Sequence, residues 1–101
     1  MSYWLHTEAE AELGDAAVYY AEHANRGIAD AFLEEFERVV ALLRSNQQLG
    51  TPKEGGMRVY PFRRFPYLLV YRQDEQAGPQ IYAVAHHNRA PGYWRDRHTE
   101  D

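Results

Sequence analysis

Three side chains in the second half of the chain, Arg64, His87 and Tyr93, have the types needed for metal-free cleavage of an RNA backbone. That chemistry needs a group to activate the 2′-hydroxyl, a cation for the charge that builds around phosphorus and an acid for the leaving oxygen. Arginine supplies the cation, histidine moves protons near neutral pH, and a tyrosine ring offers a face on which a base can stack. A wider set, Arg58, Arg63, Arg64, Arg89, Trp94 and Arg95, comprises candidates for gripping a phosphate or a macromolecular target. The planar guanidinium suits two-pronged contacts to phosphate or carboxylate.

Every one of these residues also has a plain structural reading. Arg64, beside Phe65 and Pro66, suits a corner held by bonds to main-chain carbonyls. His86 directly follows an apolar run and reads as a buried, hydrogen-bonded ring, which leaves His87 as the solvent-facing one, since neighbours on a strand alternate in direction. Tyr93-Trp94 reads as an apolar clasp for the tail, and Arg95 and Arg97 as solvated charges. His86, His87 and His98 lack the spacing and carboxylate company of a metal site, so neither metal nor cofactor is expected. With no cysteine, a disulfide framework and a thiolate site are excluded.

These side chains must be positioned by a small scaffold. The 101 residues suffice for one domain, 1–101, around one core. The lack of cysteine fits a reducing compartment, and no secretory pattern or apolar run of ~18 to 20 residues is present. A cytoplasmic protein without a membrane partner is therefore expected. Charge is unevenly spread: residues 1–45 carry nine acids against three bases, and residues 46–101 six acids against eight bases. Phosphate backbones are bound through clustered cations, which only the second half offers, almost entirely as arginine.

Tyr3 to His6 reads as a strand that runs directly into a helix, with Thr7 as its N-cap and Glu10 completing a capping box. Ala9, Leu13, Ala16, Ala17, Tyr20 and Ala24 recur at helical spacing, with Glu8, Glu12, Asp15 and Glu22 elsewhere. After the break at Asn25-Arg26-Gly27 the pattern resumes with Ile28, Phe32, Phe36, Val39, Val40 and Leu43, giving a helical hairpin. Residues 45–56 are rich in turn formers and breakers. Met57 to Phe62, Tyr67 to Arg72 and Gln80 to His86 then read as a meander of three strands. Pro61 points to an edge or a bulge in the first, and the last two are apolar enough to be central. The order β-α-α-β-β-β is an α+β fold, with the hairpin on one face of a small, mainly antiparallel sheet and a more solvated opposite face.

The run Phe62-Arg63-Arg64-Phe65-Pro66-Tyr67-Leu68-Leu69-Val70-Tyr71-Arg72, then Ile81 to His86, then Arg89-Ala90-Pro91-Gly92-Tyr93-Trp94, resembles the C-terminal half of the RelE/ParE toxin superfamily. Thr7 to Leu13, Tyr19-Tyr20 and Phe32 to Phe36 resemble its helical hairpin. The resemblance implies the same β-α-α-β-β-β fold and a toxin of a type II toxin-antitoxin module, of the kind associated with plasmid stabilisation. The terminal blocks are closer to the ParE-like members, which implies a growth inhibitor that binds DNA gyrase and is neutralised by a cognate antitoxin in a hetero-oligomer. A RelE-like endonuclease cleaving mRNA on the ribosome, through Arg64, His87 and Tyr93, is the alternative. A degenerate toxin fold kept as a binding module is the third.

Overall fold

In the computed structural model the residues described are 3–100, with side chains through residue 97, so that His98 lies outside the described side chains. The opening strand β1 (Trp4–Leu5) passes straight into helix α1 (Thr7–His23). Its N-cap is His6, not Thr7: the His6 ring accepts from the Glu8 amide through Nδ1 at 3.0 Å, and Thr7 already belongs to the first turn. The capping box expected from Thr7 and Glu10 is thus replaced. His6 remains anchored to the sheet by its own amide, which donates to the Ile81 carbonyl at 2.8 Å, so the chain can turn helical only after it.

Helix α2 (Arg26–Ser45) begins where Asn25 accepts from the Ile28 amide, one of the donors a helix start leaves unpaired. Its apolar stripe of Phe32, Phe36, Val39, Val40 and Leu43 is buried as its spacing predicts. Each such side chain contributes roughly 1.5 to 3 kcal/mol relative to exposure. Phe32 is the hub, its ring 5.0 to 5.6 Å from those of Tyr20, Phe62, Phe65 and Tyr67. Along α1 the stripe fades: Ala9 and Ala16 are buried, Leu13, Ala17 and Tyr20 are partly covered, and Ala24 is exposed.

The described residues form a five-stranded sheet in the order β1-β5-β4-β3-β2. The predicted meander is β3 (Met57–Pro61), β4 (Tyr67–Arg72) and β5 (Gln80–His86), joined antiparallel, while β1 pairs parallel with β5. A short strand unforeseen in the sequence, β2 (Thr51–Pro52), pairs with Val59 and Arg58 of β3 and stops there. Pro61 lies beyond it, on the open part of that edge, where a missing amide costs nothing. Tyr71 ties this region down, donating to the Gln47 carbonyl at 2.6 Å and accepting from the Gly50 amide at 2.9 Å.

The face of the sheet opposite the helices is less solvated than its composition suggests. Met57, Val59, Val70, Tyr82, Ala83 and Ala85 form a second buried cluster there, closed by Trp94. The clasp read from Tyr93-Trp94 is therefore formed, with Trp94 as its lid.

Between β4 and β5 the register slips: Val70 faces Ala83, but Tyr71 faces Ile81. Tyr82 is the extra residue of a bulge, and an extra residue exchanges which backbone groups point to either side. Before the bulge the Ile81 carbonyl meets the His6 amide just past β1; after it, the Tyr82 carbonyl and the Val84 amide point to that same edge, beyond the end of β1.

Candidate functional site

Glu12 of α1 fills the place of the missing strand. Its carboxylate accepts from the Val84 amide at 2.9 Å, from the Tyr93 hydroxyl at 2.8 Å and from both terminal nitrogens of Arg97 at 3.1 and 2.8 Å. Arg97 in turn donates to the Tyr82 carbonyl at 2.8 Å. One carboxylate and one guanidinium thus satisfy the edge of β5 that β1 is too short to cover. Glu12 sits three residues after Ala9 and four before Ala16, on the flank of the buried stripe; that spacing is the signal by which the sequence could have revealed it.

Tyr93 is locked into this arrangement. The Arg89 guanidinium lies 3.8 Å from its ring centre and that of Arg97 5.0 Å. Burial, then the hydrogen bond to Glu12 and that carboxylate's charge, push the phenol far above its ordinary pKa. Burial works against the charge on Arg97, but Glu12 outweighs it and holds the guanidinium pKa above its usual value. The arginine read as a solvated charge is 12% exposed.

Beside this hub, α1 and the edge of β5 enclose a cleft of about 460 Å³ lined by Glu12, Asp15, Ala16, Tyr19, Tyr20, Tyr67, Val84, His86 and Arg89. That volume is in the range of small-ligand sites. Tyr67 meets the His86 ring edge-on at 5.0 Å, and Tyr19 stacks on His23 at 4.4 Å. His86 accepts from the Asn88 amide through Nδ1 at 3.0 Å, leaving Nε2 as its donor. The hydroxyls of Tyr20 and Tyr67 are raised in pKa, first by burial and then by neighbouring phenols. Tyr19 is still 54% exposed.

The residues singled out from sequence do not gather in one place. Arg64 and His87 lie at the same end of the sheet, where the His87 amide donates to the Pro66 carbonyl at 2.9 Å. Arg64 is the one non-glycine with positive φ, 69°, among the described residues, and its guanidinium lies 5.7 Å from the centre of the Phe65 ring. The carbonyl bonds expected of it are not among those the described residues form; the corner is held instead by Glu35 of α2, which accepts from the Arg63 amide at 2.6 Å. His87 is exposed and His86 half-buried against Tyr67. Arg58 braces the β2 loop through the carbonyls of Gln48 and Gly50 at 3.2 and 2.7 Å. Arg95 pairs with Glu54 at 3.1 Å on the surface. Of the named candidates only Arg89 lines the cleft. No group of three or more His, Asp or Glu suited to a metal occurs among the described residues, and none of their helices is long and apolar enough to cross a membrane.

Comparison with known proteins agrees with this architecture. The family model described as ParE toxin of type II toxin-antitoxin system, parDE, matches residues 3–91. No curated protein matches the sequence. Among solved structures, the chromosomal ParDE TA system from P. aeruginosa superposes with a TM-score of 0.72 at 24% identity, covering 85% of this chain and 95% of that one. A likeness at that identity speaks for a shared fold.

Proposed function

The chain belongs to the ParE toxin family of type II toxin-antitoxin systems, and from that premise we propose that it arrests bacterial growth in the cytoplasm by binding DNA gyrase and is neutralised by a cognate antitoxin. Tyr93 is the observation that favours binding over cleavage. A base-stacking tyrosine needs a free face and an available hydroxyl, whereas this ring has guanidinium groups 3.8 and 5.0 Å from its centre and its hydroxyl is bound to Glu12. The set of Arg64, His87 and Tyr93 named for RNA cleavage therefore loses its base-stacking member.

Charge supports a division of surfaces. Helix α1 carries Glu8, Glu10, Glu12, Asp15 and Glu22 with no lysine or arginine, while the corner at Arg63 and Arg64 is exposed and basic. The left-handed backbone at Arg64, which costs roughly 1 to 2 kcal/mol for a residue with a Cβ, is the kind of strain kept at working surfaces. Gyrase is assigned to this end. Inducing the chain without an antitoxin and following plasmid supercoiling alongside protein synthesis tests the reading: supercoiling should fail first. Arrested synthesis with cleaved mRNA and unaffected gyrase would transfer the assignment to the ribosome, and normal growth at high expression would mark a binding module.

A further inference from the structure

The tyrosine cleft adjoins the basic corner without including Arg63 or Arg64 in its lining, and its chemistry is selective. Tyr19, Tyr20 and Tyr67 contribute electron-rich rings and hydroxyls to its lining, together with Ala16 and Val84, and Tyr19 has one face stacked on His23 and the other uncommitted to that ring. Glu12 and Arg89 of the lining pair with each other at 3.9 Å, and Arg97 beside the cleft pairs with Glu12 at 2.8 Å and with Glu8 at 3.8 Å. Asp15 is the lining charge left over, with no ion pair among the described residues. Of the lining groups Glu12 and Asp15 are acidic, and the one guanidinium, Arg89, is matched by Glu12, so an anionic ligand would face the unmatched carboxylate of Asp15. A cation is drawn in by the same carboxylate and by the ring faces. The molecule already uses this pairing next door, where its own Arg89 and Arg97 lie against Tyr93.

We propose that this cleft is the socket for one arginine side chain of the antitoxin, its guanidinium held between the rings of Tyr19 and Tyr67 and paired with Asp15. Arginine is preferred to lysine because a planar guanidinium stacks on a ring while its fork donates to a carboxylate. The proposal rests on neutralisation by an antitoxin, and it names the contact that would decide which antitoxins fit: a partner without a basic residue at that position would leave Asp15 unpaired.

Two experiments separate the socket from its premise. Titrating the intact protein with N-acetyl-arginine amide should give saturable NMR shifts at the rings of Tyr19, Tyr20, Tyr67 and His86. The uncharged, nearly isosteric citrulline amide should give none, and Asp15→Asn should weaken the response at least tenfold. Equal shifts with citrulline, or no saturable shift at these rings, overturn the socket. In cells, Asp15→Asn and Tyr19→Ala, both at exposed positions, should still arrest growth but need at least tenfold more antitoxin for rescue. Full rescue of both variants at the normal antitoxin level refutes the partner, as does loss of arrest by the variants, which would place the target in the cleft. A chain that binds the amide but that no antitoxin rescues removes the premise and leaves the cation site. A rescued chain whose cleft ignores the amide removes the socket alone.

Discussion

Replacing Glu12 by alanine should be among the most damaging single changes away from the apolar core. The carboxylate is 15% exposed and its partner Arg97 12%, so both have given up most of their hydration. Removing it strands the Val84 amide, the Tyr93 hydroxyl and a largely buried guanidinium at once. Breaking one side of a buried pair costs about 3 to 5 kcal/mol. Arg97 keeps its bond to the Tyr82 carbonyl and its weaker approach to Glu8 at 3.8 Å, which argues for the low end, about 3 kcal/mol. For a domain of this size the total stability is on the order of 5 to 15 kcal/mol, and the change corresponds to a fall in Tm of roughly 12 to 24 °C. Urea denaturation of Glu12→Ala, Arg97→Ala and the double variant supplies the check. The double variant, which strands only the exposed charges of Arg89 and Glu8 and no largely buried one, should be less destabilised than the sum of the singles by about 1 to 3 kcal/mol. A Glu12→Ala cost under about 1 kcal/mol, the range of an exposed ion pair, or strict additivity in the cycle, would refute the claim that this carboxylate stands in for a strand.

Four further outcomes are expected. A Cβ at Gly50 would sit 2.5 Å from the Tyr71 hydroxyl and 2.9 Å from the Val59 carbonyl, so Gly50→Ala should cost about 1 to 3 kcal/mol, with Tyr71→Phe in the same chain recovering part of it in thermal melts. Arg64→Gly relieves the left-handed backbone and should leave Tm unchanged or higher; growth arrest lost in a variant of undiminished Tm would be the expected sign of a working surface there. Glu35 is held below its ordinary pKa of 4.5, first by the Arg38 hydrogen bond, with the Arg63 amide adding to it against the cost of burial. Its contribution is therefore fully present above about pH 4.5 and lost as pH falls through the lower folded value, and Glu35→Gln should flatten that acid limb in pH-dependent melts. Tyr93 has the opposite sense: its folded pKa lies above the ordinary 10.0, so its contribution is complete below pH 10 and declines above it. Tyr93→Phe should cost about 1.5 to 3 kcal/mol at neutral pH, the net worth of a hydrogen bond to a charged acceptor, and soften the alkaline decline.

The legible parts of this fold are those governed by short-range periodicity. The α2 stripe from Phe32 to Leu43 recurs at helical spacing and is buried, and Tyr67 to Arg72 and Gln80 to His86 carry the apolar content of central strands and occupy that place. The hairpin break at Asn25-Arg26-Gly27 was visible because the apolar spacing is interrupted there; that Asn25 caps α2 came from the structure. The start of α1 was misplaced by one residue, because Thr7 and Glu10 satisfy a capping rule that takes no account of His6 being bonded to Ile81. β2 went unseen because two residues, one a proline, have no period. Of the candidate site residues, Trp94 was legible as a clasp because an aromatic after a strand end has an apolar face to cover.

The sequence by itself determined the order of the two helices and of every strand but β2, the core stripes and the toxin family, since each depends on neighbours within a few positions or on blocks that recur together. Only the tertiary structure decided what the charges do. Glu12 and Arg97, 85 residues apart along the chain, read as ordinary solvated side chains until a bulge at Tyr82 turns two backbone groups toward a strand edge that β1 leaves bare. Tyr19, Tyr20 and Tyr67 likewise read as pieces of two elements until α1 is laid beside β5. The worth of a charge or a phenol is set by what lies within about 3 to 4 Å of it and by how much water it has lost, and neither is local in sequence.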